Sequence, residues 1–203
     1  MSTTTPITEA PPHSCSSARP KGLHHVGYVT ADAAKTADFY TRVLGMRFIG
    51  TVINEKVPST GDDYPYIHLF FEMGDGSTIA FFESLGLPPP AAASHAAYTV
   101  FNHLALDVGT TQAVDAWAQH LREQGVDFIG PIDHSVIYSL YFQDPNGVRI
   151  ELTCTTGWGL SPEQAVDHLQ RWEAAKARSR AQGDMAPMTA LVNELQGSYK
   201  HAH

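Results

Sequence analysis

Two stretches of the chain carry the same succession of apolar and polar positions. The first is "LHHVGYVTADAAKTADFYTRVLGMRFIG", Leu23 to Gly50; the second is "FNHLALDVGTTQAVDAWAQHLREQGVDFIG", Phe101 to Gly130. Each opens as a short apolar strand with a histidine at its third residue, His25 and His103. Each then passes a Thr/Asp-rich start signal into a helix. In the second helix Val114, Trp117, Ala118 and Leu121 fall at i, i+3, i+4 and i+7, one apolar face. In the first, Phe39, Tyr40, Val43 and Leu44 form a similar stripe. Gly45 and Gly125 stand where the helices should stop, since glycine accepts the left-handed conformation of a helix C-terminus. Both stretches then enter a strand that ends "FIG".

Beyond that point the halves diverge and rejoin. The first runs through the polar "NEKVPSTGDDYP" to strand "YIHLFFEM", turn "GDG" and strand "STIAFFES". The second runs through "PIDHS" to "VIYSLYFQ", turn "DPNG" and "VRIELTC". Asp-Gly and Asn-Gly favour tight hairpins because they accept positive φ cheaply. The pattern predicts an α+β fold of two tandem βαβββ modules, residues 21–84 and 100–157, joined by a Pro/Ala-rich linker at 85–99. A polar tail of residues 1–20 precedes them and is expected to be disordered. A helical extension of residues 158–203 follows; its first helix opens with Ser161 as N-cap and Pro162 at the first helical position, and it is expected to pack on a neighbouring module or subunit.

Composition narrows the function classes. The net charge is −8, with 21 acidic against 13 basic residues, which argues against a nucleic-acid partner. No apolar run reaches the roughly 18 residues a membrane span requires, and the first 20 residues lack the apolar core of a signal peptide. A cytoplasmic location with no membrane partner is the expectation. Of the two cysteines, Cys15 lies in the polar tail and Cys154 in the last strand, so neither a structural disulfide nor a Cys-rich zinc site is expected.

One residue disturbs the strand pattern. Glu151 sits among Val148, Ile150 and Leu152, and an unpaired buried carboxylate is costly unless hydrogen-bonded, neutralised or bound to a metal. Arg149 shares its strand parity, so an ion pair is one account of it. A metal is the other.

Tandem βαβββ modules with a histidine on the first strand of each resemble the vicinal-oxygen-chelate superfamily, over residues 22 to about 157. The resemblance implies sheets arranged around a cup and metal ligands on the first and last strands of each module. Those positions here are His25, His103 and Glu151, with Ala80 at the fourth, since Glu151 is four residues past Gly147 and Ala80 four past Gly76. Glu83, three beyond Ala80, should face the other way. His25 is preferred to His24 because it holds the position equivalent to His103. Two histidines and one carboxylate leave about three open positions on an octahedral ion, the arrangement typical of non-haem Fe(II) oxygenases.

A narrower resemblance follows from the opening "I-x-H" at Ile132 to His134, then Leu140-Tyr141, Asp144-Pro145, Gly147 and Glu151. This spacing is similar to the signature of type I extradiol ring-cleaving dioxygenases. It implies an Fe(II) enzyme, with Mn(II) or Zn(II) as other candidate ions, that opens the ring of a catechol-type diol with O2. It further implies His134 as the acid–base residue, Tyr141 as a hydrogen-bond donor to the substrate oxygen, and a homo-oligomer. A second pocket histidine usual in that family would fall near Ser77, where none stands; His68, on the parity of Phe70, is the candidate substitute. His134 as a solvated loop residue and Tyr141 or His68 as plain structure are the alternatives residue by residue. At the level of function they are another metal-dependent member (isomerase, lyase or thiol transferase) and a metal-free protein that binds aromatic ligands.

Overall fold

The computed structural model describes residues 20–88, 93–157 and 160–196. The expected tail at 1–20 therefore lies almost wholly outside the described residues, as do part of the linker and the end of the chain. The described chain is α+β, built on two four-stranded mixed sheets. The first contains β1 (His25–Val29), β2 (Arg47–Asn54), β3 (Tyr66–Glu72) and β4 (Thr78–Glu83), in the order β1-β4-β3-β2. The second contains β5 (Leu104–Asp107), β6 (Phe128–Asp133), β7 (Ile137–Gln143) and β8 (Arg149–Thr155), in the order β5-β8-β7-β6. In each, the first strand pairs in parallel with the last, and the remaining pairs are antiparallel.

The register makes the repeat exact to the residue at its centre. Ala80 pairs with Gly27 and Phe70; Glu151 pairs with Ala105 and Tyr141. Ala80 thus occupies on the first sheet the place that Glu151 occupies on the second.

The helices follow the apolar stripes, with one irregularity. α1 (Ala33–Asp38) is capped by Asp32, whose carboxylate accepts from Lys35 N at 2.9 Å, and runs into a π-helical turn, Phe39–Val43. That turn buries Phe39, Tyr40 and Val43. α3 (Thr111–Glu123) buries Val114, Ala118 and Leu121, with Trp117 partly covered beside them. Gly45 and Gly125 follow with φ of 66° and 70°, the left-handed conformation that ends both helices. Phe101 differs from expectation. It closes a short helix, α2 (Ala96–Phe101), so His103 stands just before β5 rather than within a strand that begins at residue 101.

A single core joins the two modules through their helical sides. Tyr40, Phe71 and Phe81 of the first half and Leu121, Leu140 and Ile150 of the second are all fully buried in it. The seam carries cross-links. Tyr40 Oη donates to Asp144 Oδ2 at 3.1 Å, Thr30 Oγ1 to Asn146 Oδ1 at 2.8 Å, and Arg42 Nη1 to Gln124 Oε1 at 2.6 Å. Asp144 is held in turn by the backbone N–H groups of Asn146 and Val148, the geometry of the Asp-Pro-Asn-Gly turn.

Because the helices cover one side of each sheet, the opposite sides stay open. β1 and β5 show it directly: Val26, Tyr28, Leu104 and Leu106 are partly buried, whereas His25, Val29, Ala105 and Asp107 are exposed. α4 (Pro162–Gln182) and α5 (Ala186–Leu195) form a hairpin with a small apolar cluster of their own, Ala175, Met188 and Leu191, distinct from the main core. Ser161 and Gln164 cap α4 reciprocally. No described helix is long and apolar enough to cross a membrane.

Candidate functional site

The open face of the second sheet answers the question posed by Glu151. Strand parity sends Ile150 and Leu152 into the core and Glu151 to the other side, yet the carboxylate is only 2% exposed. Both its oxygens are hydrogen-bonded. His103 Nε2 lies 2.8 Å from Oε2, and Tyr141 Oη donates to Oε1 at 2.9 Å. Tyr141 Oη also lies 3.0 Å from His134 Nε2. A phenol has one proton; with that proton directed at Glu151, the contact to His134 requires an N–H at Nε2 of His134. Four side chains, His134, Tyr141, Glu151 and His103, therefore form one hydrogen-bonded row across the strands. Burial, and then the Glu151 carboxylate, hold the Tyr141 phenol above its ordinary range, so the hydroxyl keeps its proton near neutrality.

Arg149 does not neutralise Glu151. Its guanidinium lies 4.5 Å from the centre of the Tyr141 ring, a cation–π arrangement, and its Nε is buried with no hydrogen-bond partner. The ion-pair account of the buried carboxylate gives way to the His103 and Tyr141 contacts. Glu83, the other acid near a candidate ligand position, accepts from Ala33 N at 3.0 Å and so serves the start of α1.

The open face of the first sheet carries His25 and His68. His25 Nδ1 lies 2.7 Å from His24 Nδ1, and its ring centre stands 6.1 Å from that of His68 and 6.2 Å from that of Phe70. His68 stacks on Phe82 with ring centres 3.6 Å apart and is 8% exposed, with Nε2 unpartnered. Burial, with a smaller contribution from His25, holds its imidazole below the usual range.

Within one chain the histidine of the first sheet and the His–Glu pair of the second do not meet. Among the described residues no three His, Cys, Asp or Glu side chains gather closely enough to hold an ion. Sequence parity places each donor on the open face of its own sheet, and the core is shared through the helices. The donor chemistry nonetheless suits a divalent cation. Two donors at right angles with bonds of about 2.1 Å stand about 3 Å apart, and His103 Nε2 and Glu151 Oε2 are separated by 2.8 Å. Sequence reasoning weighed both neighbours of this arrangement but not the contacts they make: His24 lies against His25, and Arg149, considered as an ion-pair partner of Glu151, lies over the Tyr141 ring.

Comparison with known proteins identifies the family. The profile of the Glyoxalase/Bleomycin resistance protein/Dioxygenase superfamily matches residues 22–152. A Bacillus subtilis protein named as a ring-cleaving dioxygenase, MhqA, is 34% identical over 152 residues, 71% of this chain and 44% of that one. The 2,2',3-trihydroxybiphenyl dioxygenase of Sphingomonas paucimobilis is 27% identical over 154 residues, 74% of this chain and 45% of that one. The chain thus spans under half the length of these relatives. Among solved structures, a glyoxalase/bleomycin resistance protein/dioxygenase domain from Frankia sp. EAN1pec superposes with a TM-score of 0.53 at 18% identity, covering 66% of this chain and 97% of that domain. A glyoxalase/dioxygenase from Nostoc punctiforme gives 0.50 at 23% identity, covering 70% and 98%. With the repeat, the register and the sequence match in agreement, the chain belongs to the glyoxalase/bleomycin resistance protein/dioxygenase superfamily.

Proposed function

We propose that the protein is an Fe(II)-dependent extradiol dioxygenase acting on a catechol-type diol, with His25, His103 and Glu151 as the metal ligands. The observation that carries the reading is the row His134–Tyr141–Glu151–His103 on the open face of the second sheet. It joins the signature spacing to a buried carboxylate and a phenol that reaches from that carboxylate to a surface histidine. Iron, when bound, would bring diol and O2 together and pass electron density between them. The chain's own residues do the rest. Glu151 and His103 supply anionic and neutral donors at a distance suited to one ion. Tyr141 Oη stands beside the carboxylate, where it can hydrogen-bond a diol oxygen. His134 Nε2, next along the row, moves the proton between the diol and solvent. His68, stacked on Phe82 with Nε2 free, forms part of the opposite wall and offers a second proton-handling group.

His25 reaches this centre when the open face of one chain's first sheet is set against the open face of another chain's second sheet. We therefore take the working form to be a homo-oligomer whose metal centre lies between copies. Two features support that assembly: the incomplete donor set of a single chain, and the exposed apolar residues beside it. Val29 and Val52, each 47% exposed, share the open face of the first sheet with His25 and His68, and Ile132, 36% exposed, lies beside Ser139 on the second sheet.

The test is anaerobic loading with Fe(II), followed by oxygen uptake with a panel of catechols. The expected result is iron-dependent oxygen consumption with a coloured ring-fission product from at least one diol. Iron binding with isomerase, lyase or thiol-transfer activity and no oxygen uptake would select a different chemistry of the same superfamily; tight binding of aromatic ligands without metal would select a sequestering protein.

A further inference from the structure

Beyond its contact with the Tyr141 ring, Arg149 has no bonded partner among the described residues. Among the described residues no carboxylate lies within ion-pairing distance of its guanidinium, whereas Arg42, Arg47 and Arg171 pair with Asp38, Glu72 and Glu194. Its Nε is buried and unpartnered, although a buried donor without a partner is costly. The repeat does not call for it either. Thr78 pairs with His25 on the first sheet, and the register of β5 with β8 brings Arg149 level with His103 in the same way. A threonine hydroxyl, bonded to His24 O at 3.3 Å, suffices there.

Arg149 also occupies a particular place. It lines a cleft of about 510 Å³ together with Tyr28, Tyr98, Phe101, Asn102 and His103. That volume is within the range of small-molecule sites. The lining of the cleft is aromatic at Tyr28, Tyr98 and Phe101, includes the candidate ligand His103, and has Arg149 as its cation. The Arg149 guanidinium carbon lies 4.5 Å from the centre of the Tyr141 ring, a contact that restrains the side chain before its fork engages an anion.

We propose that Arg149 is a specificity-determining residue that receives an anionic substituent of the substrate, so that the diol class is one bearing a carboxylate on or near the ring. The diol half of this statement rests on the proposed dioxygenase function; the anion subsite does not. An Arg fork takes a carboxylate through two parallel N–H···O bonds. A ring lying along Tyr98 and Phe101 would place its diol at His103 and its carboxylate at Arg149.

The experiment is calorimetric titration of the protein, anaerobic and iron-loaded, with 3,4-dihydroxybenzoate and catechol, and of metal-free protein with benzoate. The wild type, Arg149→Met and Arg149→Lys are compared. The wild type is expected to bind 3,4-dihydroxybenzoate about tenfold or more tightly than catechol, the increment of a charge-assisted pair. Arg149→Met should abolish that preference and benzoate binding while holding catechol affinity within about twofold, and Arg149→Lys should keep part of the preference as a point charge. Equal loss of catechol and carboxylate binding in Arg149→Met would reduce Arg149 to a support for Tyr141 and overturn the proposal; so would a wild type that does not prefer the carboxylate. Carboxylate-selective binding without oxygen uptake from any diol would retain the anion subsite and remove the dioxygenase reading. Oxygen uptake with catechol but no carboxylate preference would do the reverse.

Discussion

Tyr141 has one hydroxyl proton and two close neighbours, Glu151 Oε1 at 2.9 Å and His134 Nε2 at 3.0 Å. Its replacement by phenylalanine removes both contacts and leaves a nearly inaccessible carboxylate with one donor fewer. Tyr141→Phe should lower the unfolding free energy of the metal-free protein by about 1–3 kcal/mol, the cost of an unsatisfied buried group, measured by urea denaturation. Under the proposed function, His134→Ala should leave the iron content unchanged and slow turnover by about 10²-fold or more, the usual contribution of a positioned acid–base group. Iron analysis beside steady-state oxygen uptake separates the two effects. Much at this scale was legible beforehand. The turn-to-turn count makes Ala80 equivalent to Glu151, and the strand register agrees, with Ala80 opposite Phe70 and Glu151 opposite Tyr141. The partners of Glu151 were less so, because parity gives a face and not a contact: Arg149 satisfies the count for an ion pair but lies over a ring instead.

At the scale of elements, two turns hold the second sheet where it is needed. Gly130 lies at the bulge between Ile129 and Ile132 with φ of 110°, and a Cβ there would stand 2.9 Å from Ser139 O and 3.1 Å from Leu140 Cα. Gly130→Ala meets both backbone strain and a collision with backbone atoms that cannot swing away. It should cost about 1–3 kcal/mol, read by thermal or urea unfolding. Asp144, in the Asp-Pro-Asn-Gly turn, accepts from Tyr40 of the first module while bonding its own turn. Asp144→Ala would strand a fully buried phenol at the seam and should cost about 2–3 kcal/mol. The hydrophobic periods and Gly stops marked the helices well. The π-helical turn at Phe39–Val43 was not legible, because it preserves the same apolar stripe while changing only the hydrogen-bond spacing. α2 was hidden in a stretch whose alanines and prolines suit a linker equally well.

The molecule as a whole sets the condition for its chemistry. Its two modules share a core through their helices, which leaves both candidate half-sites on open faces: His25 and His68 on one, His103, Tyr141 and Glu151 on the other. A repeat can be read from sequence, but the way two repeats face each other depends on long-range packing such as the Tyr40–Asp144 and Thr30–Asn146 links, whose separation exceeds 100 residues. The account therefore predicts that His25→Ala and Glu151→Ala each abolish iron binding, yet complement one another. A mixed dimer of the two variants carries one intact site, formed by His25 of one chain with His103 and Glu151 of the other. The most direct test is iron stoichiometry of the co-expressed variants, purified without oxygen. Random pairing through a two-fold interface should restore about one quarter of the wild-type iron. No recovery, or full iron retention by either variant alone, would contradict the assembly of the centre from two chains.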